Sequence, residues 1–322
     1  MRKSILLPTL TLCTGLVTFQ AEAAAPLTPV DAFVVSQGYG GAQFVSVENT
    51  YRVPIKANGK VGDLTIDTGA NSTVIYRASM KKFALQPKET EEFVQGAFGK
   101  GKEKVSVVTI PQLTMGNLTL MNVKAGMVTD WNSGGLYRPY GLSDGLLGLR
   151  EMLRYGMVLD INNHLLLAHP GGPMKGISGG IRSILSKEGY TAIPLSFKSG
   201  HLEVSAVVHT TPCQLLVDTG AYFTTLDRDF AREAKIGGFD TGQVAHGLGT
   251  KARGIGYTHF SQLKVGDFAI SDVSATLSAL NPEMTHGKHP VAGLLGADYL
   301  GIHGAIFDFN SGTLYLRPKK KK

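Results

Sequence analysis

Asp67-Thr68-Gly69-Ala70-Asn71-Ser72-Thr73-Val74-Ile75 and Asp218-Thr219-Gly220-Ala221-Tyr222-Phe223-Thr224-Thr225-Leu226 are two copies of one stretch, set 151 residues apart. Each follows an apolar run, Leu64-Thr65-Ile66 in the first case and Leu215-Leu216-Val217 in the second. The likeness continues downstream in the same order. Gln112-Leu113 matches Gln262-Leu263 and Met115-Gly116 matches Val265-Gly266, both at a spacing of 150. Gly145-Leu146-Leu147-Gly148 matches Gly293-Leu294-Leu295-Gly296 at a spacing of 148, which also carries Asp160 onto Asp308 and Pro170 onto Pro318. Matches that keep their order over so long a span describe a duplicated domain.

Each copy reads as β structure. Residues 51–57 and 63–66 flank Asn58-Gly59, a hairpin signal, and short apolar or alternating runs follow at 105–110, 118–123, 157–161 and 164–168. The second copy repeats the series at 201–208, 214–217, 268–277, 305–309 and 313–316, with short helical patches at equivalent places, 76–85 and 226–236. The expected fold is all-β: two homologous β-rich lobes related by a pseudo-two-fold axis. The chain divides into a signal peptide at 1–25, an N-terminal lobe at 26–170, a Gly/Pro-rich linker at 171–190, a C-terminal lobe at 191–318 and a basic tail at 319–322.

Composition narrows the class. At 322 residues there is room for about two cores. With 43% hydrophobic and 18% charged residues, the chain is neither disordered nor a multi-span membrane protein. The net charge of +7 is spread along the chain apart from Lys319 to Lys322, without the basic face interleaved with aromatics that a nucleic-acid binder shows. Met1-Arg2-Lys3, an apolar stretch to Phe19 and Ala21-Glu22-Ala23 (or Ala23-Ala24-Ala25) read as a cleavable export signal. Pro8 and several threonines make that stretch too weak for a permanent membrane span. Cys13 leaves with the signal, so Cys213 alone remains, which excludes an internal disulfide. Asn71-Ser72-Thr73 is a glycosylation acceptor sequence in the middle of the repeated motif, where a glycan would block it, so a bacterial periplasmic or secreted protein is expected.

An Asp at the end of an apolar strand, followed by Thr-Gly, is held on a tight turn beside a core. Lobes related by a two-fold axis can bring two such carboxylates together, and close carboxylates share a proton. One then serves as general base on a water while the other, protonated, polarises a carbonyl. Such chemistry calls for no metal, cofactor or nucleophilic side chain.

The two motifs resemble the active-site sequence of retropepsin-type aspartic proteases, Asp-Thr-Gly-Ala-x-x-Thr followed by apolar residues. Residues 144–149 and 291–296 resemble the strand that passes beneath the active-site loop in pepsins and retropepsins. The resemblance covers nearly all of the chain after the signal. It implies that Asp67 and Asp218 are the catalytic carboxylates, that Thr68 and Thr219 interlock across the axis, and that Gly69 and Gly220 keep the turns tight. It also implies a peptide or protein substrate and a monomer, since two lobes in one chain resemble the pepsin arrangement. Pepsin-like enzymes carry Ser or Thr where Ala70 and Ala221 stand, and retroviral enzymes often carry an acidic residue where Asn71 and Tyr222 stand. No Lys-rich prosegment of pepsin length separates Ala25 from Tyr51. Position and glycine content make residues 97–101, with Phe98 and Gly99, and residues 246–250, with Leu248 and Gly249, the candidate flaps over substrate.

Three other features compete. Gly176-Ile177-Ser178-Gly179-Gly180 fits the G-x-S-x-G pattern of a serine nucleophile, but it follows Pro-Gly-Gly-Pro in the connector and reads as flexible linker. His286 and His289 lie on a Pro-bounded stretch that reads as a surface loop rather than a metal site. Residues 131–140, from Trp131 to Tyr140, suit either a cleft lining or a structural loop. The sequence therefore points to an exported aspartic endopeptidase, with a catalytically silent peptide-binding protein of the same fold as the alternative and a serine hydrolase using Ser178 a distant third.

Overall fold

The computed structural model describes residues 27–97, 102–128, 143–174, 176–198, 200–245, 253–288 and 290–319. The expected export signal, residues 131–140, His289 and the tips of both candidate flaps lie outside them. Each lobe is built on an eight-stranded sheet, and a six-stranded sheet joins the two.

The first hairpin forms as its sequence predicts. Strands Thr50–Ala57 and Lys60–Asp67 pair antiparallel up to Ala57↔Lys60. Asn58 and Gly59 both take positive φ, 50° and 77°, the geometry a two-residue hairpin turn requires. Tyr51, Val53, Ile55 and Ala57 alternate into the core. Strands His201–Val208 and Thr211–Val217 repeat the arrangement, burying Leu202, Val204, Ala206 and Val208.

A third strand is threaded beside each hairpin. Gly145–Gly148 runs parallel to Lys60–Asp67 and antiparallel to Val74–Tyr76. In the other lobe Gly293–Leu295 lies in the same way between Thr211–Val217 and Thr225–Asp227. The chain thus leaves its strand at Asp67 or Asp218, turns, and re-enters the sheet on the far side of this inserted strand. The crossing is tight: a Cβ on Gly145 would stand 2.0 Å from the Val74 carbonyl oxygen, and one on Gly293 would stand 2.2 Å from that of Thr225. Glycine is required at both.

The six-stranded sheet takes Gly40–Gln43, Leu165–Ala168 and Val158–Asp160 from the first half, and Ile306–Asp308, Thr313–Leu316 and Thr191–Pro194 from the second. The halves join through Val158↔Asp308, Leu159↔Phe307 and Asp160↔Ile306. One apolar core runs unbroken through this sheet and both lobes.

The connector corrects the sequence reading. Within 171–190 the chain forms the helix Ile177–Lys187, with Ile177, Ile181 and Leu185 buried at four-residue spacing. Together with helix Pro29–Ser36 it packs against Val158, Leu167, Ile306 and Tyr315 of the six-stranded sheet. The glycines that suggested flexibility allow close packing instead, since a Cβ on Gly180 would stand 2.2 Å from the Phe33 ring. Ser178 lies in the first turn of this helix, with a turn rather than a strand before it, so the nucleophile geometry of a serine hydrolase is not formed. Among the described residues no helix is long and apolar enough to cross a membrane.

Candidate active site

Asp67 and Asp218 end equivalent strands whose preceding residues, Ile66 and Val217, are fully buried. The turn that follows each supplies backbone donors to it. Asp67 Oδ1 accepts from the amides of Gly69 and Ala70, both at 2.9 Å. Asp218 Oδ1 accepts from Gly220 at 2.8 Å and from Ala221 at 3.1 Å.

The two turns are locked to each other by their threonines. The Thr68 amide donates to Thr219 Oγ1 at 3.0 Å, and the Thr219 amide donates to Thr68 Oγ1 at 3.0 Å. Each hydroxyl then donates across the interface, Thr68 to the Val217 carbonyl at 2.7 Å and Thr219 to the Ile66 carbonyl at 2.8 Å. Both threonines are wholly buried. Hydroxyls so placed have their donor and acceptor roles filled, and leaving either group unpaired would carry the full cost of burying it.

This lock sets each carboxyl against the turn of the opposite lobe, Asp218 against Gly69 and Asp67 against Gly220. Burial raises both above the ordinary carboxylate range, and the charge of Asp218 pushes Asp67 up further. The turn amides act the other way, favouring the charged form. Loss of the first proton makes loss of the second harder, so the pair holds one shared proton over the pH range between the two steps.

A second ring of polar contacts, which the sequence reading missed, anchors the turns from below. Thr73 donates its hydroxyl to Glu151 Oε2 at 2.6 Å and its amide to the same oxygen at 3.2 Å. In the other lobe Thr224 donates its hydroxyl to Asp298 Oδ1 at 2.8 Å and its amide to both carboxylate oxygens at 3.0 Å. Thr73 and Thr224 also accept from the amides of Gly148, at the end of its inserted strand, and Gly296, just past the end of the other. The signal was present, an acid in the first helical turn after each Gly-Leu-Leu-Gly. It was hidden because the acid differs between lobes and stands three residues after Gly148 but two after Gly296.

Above the pair lies a cleft of about 420 Å³, lined by Gly69, Ala70 and Val74 of one lobe and Leu216, Asp218 and Met284 of the other. Strands Lys88–Gln95 and Lys102–Met115 pair up to Gln95↔Lys102, and Gly238–Ala245 and Arg253–Val265 pair up to Ala245↔Arg253. Both candidate flaps therefore fall at hairpin ends, while Phe98, Gly99, Leu248 and Gly249 themselves lie outside the described residues. Gly96 and Ala97 do line the cleft, and the Ala97 carbonyl accepts from the Asn281 amide of the opposite lobe at 2.8 Å. Cys213, the free thiol among the described residues, is half-buried, and burial pushes it up to about 12, which leaves it protonated and unreactive. His286 closes the short helix Pro282–Thr285.

Comparison with known proteins agrees with this geometry. Residues 53–150 match the aspartyl protease family, and residues 204–301 match the gag-polyprotein putative aspartyl protease family. The crystal structure of an aspartic proteinase from Irpex lacteus superposes with a TM-score of 0.50 at 12% identity, covering 88% of this chain and 98% of that one. That likeness is one of fold. A retropepsin-like aspartic protease from Rickettsia conorii matches 40% of this chain and 90% of its own at 18% identity, with a TM-score of 0.31. No curated protein matches the sequence. Two family matches, one to each lobe, place the chain among the retropepsin-like aspartic proteases, with both lobes in a single polypeptide.

Proposed function

We propose that the protein is an exported aspartic endopeptidase whose catalytic pair is Asp67 and Asp218. The observation that carries this reading is the reciprocal Thr68–Thr219 lock, which brings the two carboxyls together where Asp218 lines a cleft between the lobes. An extended peptide in that cleft presents its carbonyl to the pair. The ionised carboxylate takes a proton from a water as its oxygen attacks the carbonyl carbon, and the protonated partner hydrogen-bonds the carbonyl oxygen. Transfer of a proton to the amide nitrogen then lets the carbon–nitrogen bond break, and the shared proton is restored.

Both carboxyls come from one chain, so the working form is a monomer whose specific activity holds on dilution into the nanomolar range. The export signal read from the sequence places it in a bacterial periplasm or outside the cell, with a mature N-terminus after Ala23 or Ala25. Incubation of the mature protein with a mixed peptide library, with and without pepstatin, tests the activity. Cleavage that pepstatin blocks supports the reading. Tight peptide binding without cleavage replaces it with a silent peptide-binding protein.

A further inference from the structure

A second recess, about 600 Å³, opens on the C-terminal lobe beside the cleft. Glu203 and Lys288 line both, so the two adjoin. The apolar lining of the recess comes from Val207 and Cys213, which are half-buried, and from Pro212 and Pro290, which are exposed. Its charged groups are Lys198, Lys264 and Lys288 against a single acid, Glu203, which is 2% exposed and so forms inner wall rather than rim. The three lysines are exposed. Lys264 has one loose partner, the exposed Asp267 at 3.7 Å. Lys198 ends the strand Ser196–Lys198, which is the outermost of its eight-stranded sheet.

We propose that this recess receives acidic residues of the substrate, on one side of the bond that is cleaved. The inference rests on the protease reading above and adds a substrate class to it: peptides with an acidic, partly apolar flank. An extended segment leaving the cleft past Lys288 meets a concavity that offers it both ammonium groups and apolar surface. Lysines on a sheet edge also discourage strand addition, which accounts for Lys198 but not for an apolar recess ringed by three of them. Exposed ammonium groups act weakly one by one and are screened by salt, so the expected preference is moderate and falls with ionic strength.

The test compares peptides sharing one cleavable core, with three Asp or Glu residues on its N-terminal side, on its C-terminal side, or replaced by Ser. One acidic set is expected to be cleaved with a kcat/KM about tenfold above the Ser set, mostly through KM, and the advantage shrinks to about twofold at about 0.5 M NaCl. In Lys198→Glu/Lys264→Glu the ratio of acidic to Ser peptides falls by about tenfold or more, while Tm stays close to wild type. Equal cleavage of all three sets at low salt overturns the proposal, as does an acidic advantage that survives the double charge reversal. Should no peptide be cleaved, the protease reading fails separately. Binding of the same peptides to the wild-type protein, followed by fluorescence anisotropy, then decides the recess by the same ratio.

Discussion

Gly69 lies directly against the carboxyl of Asp218, where a Cβ would stand 2.5 Å from the carboxyl carbon, and Gly220 faces Asp67 in the same way at 2.6 Å. Neither glycine has a positive φ, so what each position needs is space and not an unusual backbone. Gly69→Ala should therefore push the carboxyls apart. The expected result is a loss of roughly 100-fold or more in kcat, with a cost of about 1–3 kcal/mol in stability from overpacking. Kinetics and thermal melts on the one variant read both. A kcat within about twofold of wild type would show that the close approach is dispensable.

Asp67→Asn and Asp218→Asn should each lower kcat by roughly a thousandfold or more, and the double variant should be no worse than either single one, because each alone removes the shared-proton mechanism. Stability moves the other way. Both carboxyls are raised in the folded state, so their contribution is fully present below the unfolded value and is lost as pH rises through the folded one. At about pH 7 the Asn variants should melt at or above the wild-type temperature, and the difference should close at about pH 3. A variant that melts lower at both pH values would contradict the burial argument.

The duplication, the first hairpin and the dyad were legible because each rests on a strong local signal: an ordered repeat, Asn58-Gly59, and Asp at the end of an apolar strand. Strands Lys88–Gln95 and Gly238–Ala245 were not. Each is the outermost strand of its sheet, so neither needs an apolar face, and Phe93 and Phe239 are 59% and 68% exposed. Helix Ile177–Lys187 was hidden by Gly179 and Gly180, which weaken a helix locally but are outweighed by the burial of Ile177, Ile181 and Leu185. Glu151 and Asp298 escaped because insertion between the copies shifts them by one residue relative to the glycines that precede them.

The working pH follows from Ala70 and Ala221. Their amides already donate to Asp67 and Asp218, but alanine has no hydroxyl to add a further donor. A serine there would favour the charged form and move the titration of the pair to lower pH. The wild-type protein should thus work best in mildly acidic solution, and Ala70→Ser/Ala221→Ser should shift the profile of kcat/KM toward acid. The profile is measured on a peptide whose own charge is constant. A wild-type maximum at about pH 2 would refute the expectation, and an unchanged profile in the double variant would refute its cause.

A second carboxyl pair lies far from the cleft and bears on stability. Asn163 Nδ2 donates to Asp160 at 2.7 Å and to Asp31 of helix Pro29–Ser36 at 3.1 Å, and both acids are 1% exposed. Burial, then the charge of Asp31, pushes Asp160 up to about 7, and Asp31 is itself raised by burial. Stability from this pair is complete in acid and is lost as pH rises toward about 7, by roughly 4 kcal/mol at most. Melting temperature should fall across that window, and Asp31→Asn should flatten the fall by removing the neighbouring charge. An unaltered slope in Asp31→Asn would show that the two groups titrate independently.

The join between the halves also sets the order in which the chain can fold. Strand Val158–Asp160 takes one neighbour from Ile306–Asp308, which the ribosome makes 148 residues later. At about 5–20 residues per second the first lobe waits roughly 7–30 s after its own strands are made before that neighbour exists. Throughout the wait Val158–Asp160 presents an open row of backbone donors and acceptors, the kind of edge on which other chains add. A holdase acting on the nascent protein would find its most exposed target there.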